Sequence, residues 1–301
     1  MVSAGTTPVY PQPDADEIRR AIDILHEPGA VFELRILRLD CGGVRKRNRA
    51  GFFTDHHRAA AEAARWSGRA DGVYVTFNQI RPELLDRATN LTVEGRKALS
   101  AQDSDVVRRR WLFIDIDPKR PAGHSATQDE KQSAVDLARE VRDWLEASGF
   151  PAPVLADSGN GAHLLYRIDL PAEDGGLVGS ILKSLSHRFG RERAEVDPRN
   201  KNPSRILKLY GTIARKGAHS EDRPHRVARI LESPTELLVV PDAVLRSVVA
   251  MAASASIPPG PRAGESTEPP SFTSATQHSE GGFDLDAWIA RHSLDVGEPK
   301  E

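Results

Sequence analysis

Two aspartates near the middle of the chain have the residue type and spacing that metal-dependent phosphoryl transfer requires. Asp115 and Asp117 lie in the segment WLFIDIDPKR, residues 111–120, whose apolar start is typical of a buried strand. Side chains alternate faces along a strand, so both carboxylates point the same way, with Cα atoms roughly 6.6 Å apart. Two such carboxylates can share a pair of divalent cations about 3.5–4 Å apart. Taken alone, the pattern also fits a strand that simply ends with acidic residues at the surface.

A second motif, DSGNGAHLLY at residues 157–166, combines small residues with a histidine. Ser158, Gly159 and Gly161 let the backbone approach a ligand closely and offer N–H groups to phosphate oxygens. His163 follows near the start of a predicted strand, where it can donate a hydrogen bond to a phosphate or assist proton transfer. The same residues would also form a tight hairpin turn with a structural histidine.

A third motif, AEVDPRNKNPSRILKLYGT, covers residues 194–212. Asp197 would complete a metal site if the fold brings it beside the two earlier aspartates, and an ordinary Asp-Pro turn is the alternative. Arg205 and Lys208 are three residues apart and share a face if the segment is helical or a twisted turn, but not on a flat strand. Either could hold a triphosphate, arginine through its fork geometry and lysine as a point charge.

The order of the three motifs resembles that of the archaeo-eukaryotic primase superfamily, over about residues 70–232. The resemblance is greatest to the primase-polymerases of phages, plasmids and other mobile elements, in which D-x-D, S-G-N-G-x-H and a hydrophobic-Asp pair recur with a following N-P-x-R. It implies an α+β fold, in which a catalytic core with an RNA-recognition-motif-like antiparallel or mixed sheet and flanking helices follows an N-terminal α/β module. The chain departs from the cellular primase small subunits in having no zinc-ligand cluster in its sequence.

The resemblance implies a DNA primase and DNA polymerase that makes primers on a single-stranded DNA template by two-metal nucleotidyl transfer. The implied cofactors are Mg²⁺ or Mn²⁺, the substrates are NTPs or dNTPs, and a helicase domain or protein is a candidate partner. The implied metal ligands are Asp115, Asp117 and Asp197, which are also, together with His163, the implied catalytic residues. The implied contacts of the incoming triphosphate are Ser158, Gly159, Asn160, Gly161, His163, Arg205 and Lys208.

Two other kinds of function remain open on the sequence. The same carboxylates would serve a two-metal nuclease or an end-joining nucleotidyltransferase. The fold alone would also suit a non-catalytic replication initiator that only binds DNA, because a fold does not by itself determine an activity.

Basic residues are concentrated after the acidic motifs. Nine basic and two acidic residues lie between Arg199 and Arg229. Such a stripe suits a phosphate-rich substrate, although a solvated face has the same composition. Arg108–Arg110, Lys119 and Arg120 flank the acidic strand and are candidates for contacts with template phosphates.

Composition restricts the class of protein. The chain has 301 residues, of which 39% are hydrophobic and 28% are charged, and these values are typical of a soluble globular protein. The sequence has no run of eighteen apolar residues, and its N-terminus lacks the basic start and apolar core of a secretory signal. Cys41 is the only cysteine, which excludes an internal disulfide and favours a cytoplasmic location without a membrane partner.

Hydrophobic periodicity and breaker residues predict the elements and their grouping. Helices are predicted from about Asp14 to before Pro28 and over about 55–66, 127–147, 176–189 and 241–252. Strands are predicted at 31–37, around 52–53, and at 72–78, 111–117, 153–156, 162–168, 205–209 and 226–231. Tyr74 and Asn78, on the strand before the acidic one, are candidates for sensing the sugar of a nucleotide.

These elements predict a primase-polymerase domain over residues 14–252, with an N-terminal module at about 14–105 and a motif-bearing core at about 106–232. Residues 1–13 are expected to be disordered, and the Ser/Pro/Gly-rich residues 253–282 to be a linker. Residues 283–301 are expected to form a short helix at the start of a truncated C-terminal region.

Overall fold

The computed structural model describes residues 10–40, 47–94, 100–190 and 192–255. The helices are α1 (Ala15–Leu25), α2 (His56–Trp66), α3 (Gln128–Ala147), α4 (Leu177–Phe189) and α5 (Asp242–Ala255), with short 3-10 helices at Pro82–Arg87 and Asp103–Asp105. None of the described helices is long and apolar enough to cross a membrane. Local sequence explains where three helices begin, because Asp14 caps α1, Asp55 caps α2, and Thr127 with Glu130 forms a capping box at the start of α3.

Thirteen strands are found among the described residues. They are β1 (Phe32–Leu39), β2 (Arg47–Phe53), β3 (Gly72–Thr76), β4 (Gln79–Ile80), β5 (Val93–Glu94), β6 (Val106–Pro118), β7 (Val154–Asp157), β8 (Ala162–Pro171), β9 (Ala194–Val196), β10 (Ile206–Lys208), β11 (Ile213–Ala214), β12 (Arg226–Val227) and β13 (Arg229–Glu232). The strands pair antiparallel throughout, so the predicted α+β class with antiparallel sheets is confirmed.

The first sheet has the order β10-β3-β1-β2-β5, and β11 pairs with β12 separately. The second sheet has the order β13-β7-β8-β6-β4, with β9 beside the end of β6. From β6 to β9 the chain runs strand, helix, strand, strand, helix, strand. This is the split βαβ arrangement of ferredoxin-like folds, to which the predicted RNA-recognition-motif-like sheet corresponds.

Alternation along β6 places its side chains in two different environments. Leu112, Ile114 and Ile116 are fully buried on the face that packs against α3 and α4. Trp111 and Phe113 point the other way and belong to the core that contains α1, α2 and the first sheet. The next odd-numbered positions on that second face are the two predicted aspartates. The pleat therefore directs them toward the space between the two sheets.

The N-terminal part and the motif-bearing core share a sheet. Strand β10 lies after residue 106, yet it pairs with β3, and Leu207 on β10 packs in the core with Leu34 and Val75. The described residues belong to one compact unit, Met1–Ile257. A domain boundary near residue 105 remains a prediction. The pairing of β10 with β3 joins residues from both sides of that boundary.

The structure differs from the sequence predictions at several element ends. Strand β6 begins at Val106 rather than near 111, so the arginine triplet lies inside the strand. Helix α5 continues to Ala255, past the predicted start of the linker at 253. The predictions of disorder for residues 1–9, of a linker over the rest of 256–282 and of a helix at 283–301 lie outside the described residues.

Candidate active site

Three aspartates from two neighbouring strands meet at one end of the second sheet. Asp115 and Asp117 lie on β6, and Asp197 directly follows β9, which pairs with the end of β6. The backbone N–H of Asp197 donates to the carbonyl oxygen of Asp115 at 2.9 Å, and this bond fixes the register of the two strands. Each carboxylate offers an oxygen, and these oxygens lie within 4.8 Å of one another. The predicted convergence of the three side chains is therefore observed.

The environment affects two of these carboxyl groups in opposite directions. Burial, with the nearby charge of Asp115, raises the pKa of Asp117 above its ordinary value, although Arg120 and Lys216 oppose this. Burial also acts to raise the pKa of Asp197, but hydrogen bonds from Arg199 outweigh it and leave that pKa below its ordinary value. Burial and the neighbouring charge of Asp115 both disfavour the charged form of Asp117, and a divalent cation bound there would favour it.

Asn200 was not predicted from the sequence, yet it contacts two of the three aspartates. Its Nδ2 lies 3.2 Å from Asp115 Oδ2 and 3.3 Å from Asp197 Oδ2, and its side chain is buried. Arg205 donates from Nε to Asn200 Oδ1 at 2.6 Å. The sequence signal that could have found this residue is its position three residues after Asp197, in the same turn.

His163 lies opposite Asp115 in the pairing of β6 with β8. Its Nε2 is 3.4 Å from Asp115 Oδ1, and its Nδ1 is 2.9 Å from the hydroxyl of Tyr210. Burial and the nearby Asp115 raise the pKa of Tyr210 well above its ordinary value, so its hydroxyl remains a donor. Because Nε2 faces the carboxylate of Asp115, which can only accept, the ring hydrogen of a neutral imidazole lies on Nε2, and Nδ1 then accepts from the Tyr210 hydroxyl. Tyr210 was also missed from the sequence.

The turn between β7 and β8 contains the small residues of the second motif. The N–H of Ser158 donates to the Gly161 carbonyl, the N–H of Gly161 to Ser158 Oγ, and the N–H of Gly159 to Asp157. The expectation that these three N–H groups face a phosphate is therefore not met, because each already has an acceptor inside the turn. Asn160 accepts from the N–H of Ala126, which ties the turn to the segment before α3.

Close packing, rather than ligand contact, explains the glycine at position 161. A Cβ on Gly161 would overlap the carbonyl oxygen of Ile116, which lies between the two aspartates on β6. Gly159 adopts φ +90°, a left-handed conformation that side chains disfavour. The turn can lie against β6 because it carries glycine at position 161.

A cleft of about 1280 Å³ lies between the two sheets and contains the three aspartates, Ser158, Asn160 and His163. The opposite wall is formed by the first sheet, on which Arg35, Tyr74 and Lys208 occupy one row across β1, β3 and β10. Eight cationic side chains line the cleft together with five carboxylates, and the cationic ones are Arg35, Arg38, Arg120, Arg199, Arg205, Lys208, Arg215 and Lys216.

Arg205 and Lys208 both line this cleft, as expected if the two side chains lie on one face of their segment. They differ in exposure. The Arg205 residue is exposed, whereas Lys208 is 6% exposed and donates from Nζ to the Ile213 carbonyl oxygen at 2.8 Å. Its Nζ lies 5.5 Å from the centre of the Tyr74 ring. Burial lowers the pKa of Lys208 to about 7.

Other basic residues that were candidates for template contacts have structural partners. Arg108 and Arg110 both pair with Asp169, and buried Arg109 donates to the carbonyl oxygens of Ala172 and Lys201. These contacts follow from the early start of β6, which places the triplet beside β8. Contacts of these three residues with template phosphates stay a prediction, which would require them to give up part of this pairing.

Asn78 also has a structural explanation. Its Oδ1 accepts from the N–H groups of Arg110 and Trp111, and its Nδ2 donates to the Pro203 carbonyl oxygen. The side chain is 2% exposed and does not line the cleft, so it cannot sense a sugar there. Tyr74 lines the cleft and remains a candidate for sensing the sugar of a nucleotide.

The donor set fits a hard divalent cation. Mg²⁺ and Mn²⁺ prefer carboxylate oxygens, and three aspartates without sulfur or imidazole ligands match that preference. The turn after β9 supplies only neutral and cationic neighbours, Asn200 and Arg199, to the buried Asp197. The group of three is the sole cluster of this kind within the described ranges.

No protein-family model and no curated protein matches the chain. Among solved structures, it is similar to primase RepB', at 12% identity and a TM-score of 0.43, over 80% of this chain and 64% of that one. It is similar to the catalytic domain of primase RepB' in complex with initiator DNA, at 12% identity and a TM-score of 0.41, over 80% and 97% of the two chains. The polymerase domain of ligase D from Mycobacterium tuberculosis, in complex with DNA, is similar at 14% identity and a TM-score of 0.38, over 82% and 95%. The chain thus spans 64% of the length of the first of these structures.

Proposed function

We propose that this chain is a metal-dependent nucleotidyltransferase that synthesises primers on a single-stranded DNA template. The observation that carries the proposal is the convergence of Asp115, Asp117 and Asp197, with oxygens within 4.8 Å, in a cleft whose other wall is cationic. The motifs that supply these residues are those on which the resemblance to primase-polymerases rests.

In the proposed reaction, the 3′-hydroxyl of a primer attacks the α-phosphorus of a nucleoside triphosphate. A new P–O bond forms, the bond from the α-phosphorus to the oxygen bridging it to the β-phosphate breaks, and pyrophosphate leaves. The proton of the hydroxyl passes to solvent water. Mg²⁺ or Mn²⁺ held by the three aspartates would acidify the hydroxyl and neutralise charge on the leaving group. The protein positions the reactants and screens their charge.

The remaining side chains bind and orient the triphosphate. Arg205 presents an exposed guanidinium and Lys208 a buried ammonium from the wall opposite the carboxylates. His163 directs its Nε2–H into the cleft, where it donates to a phosphate oxygen. Asn160 and Ser158 line the same end of the cleft and limit where the triphosphate can lie.

The test is incorporation of labelled nucleotides on a single-stranded DNA template, with each metal and each nucleotide type in turn. The double variant D115N/D117N should reduce incorporation by about 1,000-fold or more, since it removes several kcal/mol of charge stabilisation. The matched control is D136N/D143N, which makes the same charge change at exposed positions on α3 and should retain activity.

Three outcomes would count against the proposal. Undiminished synthesis by D115N/D117N would show that these two carboxylates are not needed for the reaction. Degradation of the template without added triphosphates would favour a nuclease that uses the same residues. Tight DNA binding without nucleotide or Mn²⁺ binding would favour a non-catalytic initiator.

A further inference from the structure

Asn200 joins parts of the cleft that come from different segments of the chain. It lies in the turn that leads from β9 toward β10, and its amide nitrogen is shared between a carboxylate on β6 and the one that follows β9. Its amide oxygen accepts from Arg205, which precedes β10 on the opposite wall. All three contacts involve groups to which the proposed function assigns a role.

The contact with Arg205 determines which way the amide points. A guanidinium has only donors, so the atom of Asn200 that faces it must be the oxygen. The amide nitrogen is then directed at Asp115 and Asp197, and both of its hydrogens have acceptors. The hydrogen-bond network therefore fixes this orientation, since a flipped amide would put oxygen against oxygen at both carboxylates.

A neutral donor between the two carboxylates has a specific physical effect. Two negative charges this close repel each other, and the strand pairing fixes their backbones but not their side-chain torsions. The amide gives each carboxylate one hydrogen bond without adding a charge that would oppose a cation. Asp115 keeps most of its acceptor sites for a metal ion, because it has about four of them. Asp197 also accepts three hydrogen bonds from Arg199, whose exposed guanidinium would have to give way in part to a cation.

We propose that Asn200 is a positioning residue that holds Asp115 and Asp197 at the spacing in which they bind a divalent cation, with Arg205 fixing the direction of its amide. This inference rests on the proposed function for the identity of the site as a metal centre. It adds a residue that touches the metal ligands rather than the metal, a kind of contact whose loss typically weakens metal binding.

The experiment is a titration of the nucleotide-free protein with Mn²⁺, in which free Mn²⁺ is measured by electron paramagnetic resonance. Asn200→Ala should weaken Mn²⁺ binding by about 10–100-fold. Asn202→Ala is the matched control, because Asn202 lies in the same loop and hydrogen-bonds to a carboxylate outside the cluster, that of Asp103. Its Mn²⁺ affinity should equal that of the wild type.

A second measurement separates positioning from a general loss of structure. Nucleotide incorporation by Asn200→Ala should recover when Mn²⁺ is raised, whereas a misfolded site would not recover. Thermal unfolding of each variant confirms that it folds. If Asn200→Ala does not fold, Asn200→Ser takes its place, because a serine hydroxyl is too short to reach both carboxylates.

The possible results distinguish this inference from the proposed function. Wild-type affinity in Asn200→Ala, or an equal loss in Asn202→Ala, would overturn the role of Asn200 and leave primer synthesis intact. Failure of the wild type to bind Mn²⁺ at all would overturn the metal-dependent function itself. A selective loss in Asn200→Ala that excess Mn²⁺ restores would support both.

Discussion

Among single residues, Lys208 lies in a setting that strongly disfavours its own charge. Its ammonium group is buried against the Tyr74 ring and the Ile213 carbonyl, and its pKa falls to about 7. Near neutral pH the residue therefore exists in both charged and neutral forms. A triphosphate in the cleft would favour the charged form, so binding of the anion and protonation of Lys208 are linked.

Replacement of Lys208 by methionine should weaken triphosphate binding by about 10–100-fold below pH 7, since a charged hydrogen bond contributes about 1.5–3 kcal/mol. Wild-type affinity should fall as the pH rises through about 7, where Lys208 loses its proton. The K208M variant should lack this step, which fluorescence titration with a labelled triphosphate would measure. Lys183→Met, at an exposed position on α4, should keep the wild-type profile.

The same substitution should raise stability. An unfolded lysine has a pKa of about 10.4, so the unfolded chain binds more protons than the folded one between about pH 7 and pH 10. Wild-type stability should therefore rise with pH through that window, and K208M should be more stable than the wild type, most of all at or below pH 7. A higher Tm for the wild type at pH 7 would contradict the burial of a disfavoured charge.

Tyr210→Phe tests the orientation of His163. Without the hydroxyl, Nδ1 of His163 loses its partner and the ring hydrogen is no longer held on Nε2. We expect incorporation to fall by about 5–10-fold, the effect of one hydrogen bond of about 1 kcal/mol. Nitrogen NMR of His163 would show a mixture of tautomers. Tyr166→Phe is the control, because this tyrosine is equally buried and its hydroxyl has no partner within the described part of the chain.

At the scale of elements, the turn between β7 and β8 depends on its distance from β6. Gly161→Ala would force the turn away from Ile116, because the added methyl group would overlap that carbonyl oxygen. We expect a loss of stability of about 1–3 kcal/mol and a higher KM for the triphosphate, measured by thermal unfolding and steady-state kinetics.

Gly179→Ala is the matched control for this prediction. Gly179 lies within α4, and a methyl group there would make ordinary contact with the Lys201 side chain. Alanine is favoured over glycine inside a helix by about 1 kcal/mol, so this variant should be as stable as the wild type or more so. A Gly161→Ala protein that behaves like Gly179→Ala would contradict the close packing of the turn.

Elements with strong local signals could be predicted from the sequence. The capped starts at Asp14 and Thr127 and the apolar run before Asp115 identify α1, α3 and β6, because caps and periodicity are properties of neighbouring residues. Strand β9 was missed, since its three residues are too few to show alternation. Its pairing with β6 is nevertheless what places Asp197 in the site.

At the scale of the whole molecule, the candidate site could be predicted only in part. The three aspartates and His163 were identified by residue type and motif order. Asn200 and Tyr210 were not, because their contacts with Asp115 and His163 join residues that are 85 and 47 positions apart in the sequence. The placement of β10 in the first sheet is likewise set by long-range pairing, which no local pattern reports.

Binding of a divalent cation should stabilise the whole domain. Mn²⁺ at about 100 times its Kd would add about 2.7 kcal/mol to the free energy of unfolding if it binds only the folded state. For a domain of this size that corresponds to a rise in Tm of roughly 5–10 °C. Differential scanning fluorimetry should show this rise in the wild type and in D136N/D143N but not in D115N/D117N. An equal rise in all three proteins would place the cation elsewhere.

The membership of β10 in the first sheet restricts how the gene could be divided. If the open reading frame were split between residues 105 and 106, β3 and β10 would lie on different polypeptides. The first polypeptide would expose the unpaired edge of β3, and the second would contain β10 without its partner strand. Neither product could be exchanged or inherited as an independent module. Recombination that swaps the two cleft walls between relatives would have to carry residues 206–208 with the first sheet and residues 79–80 with the second.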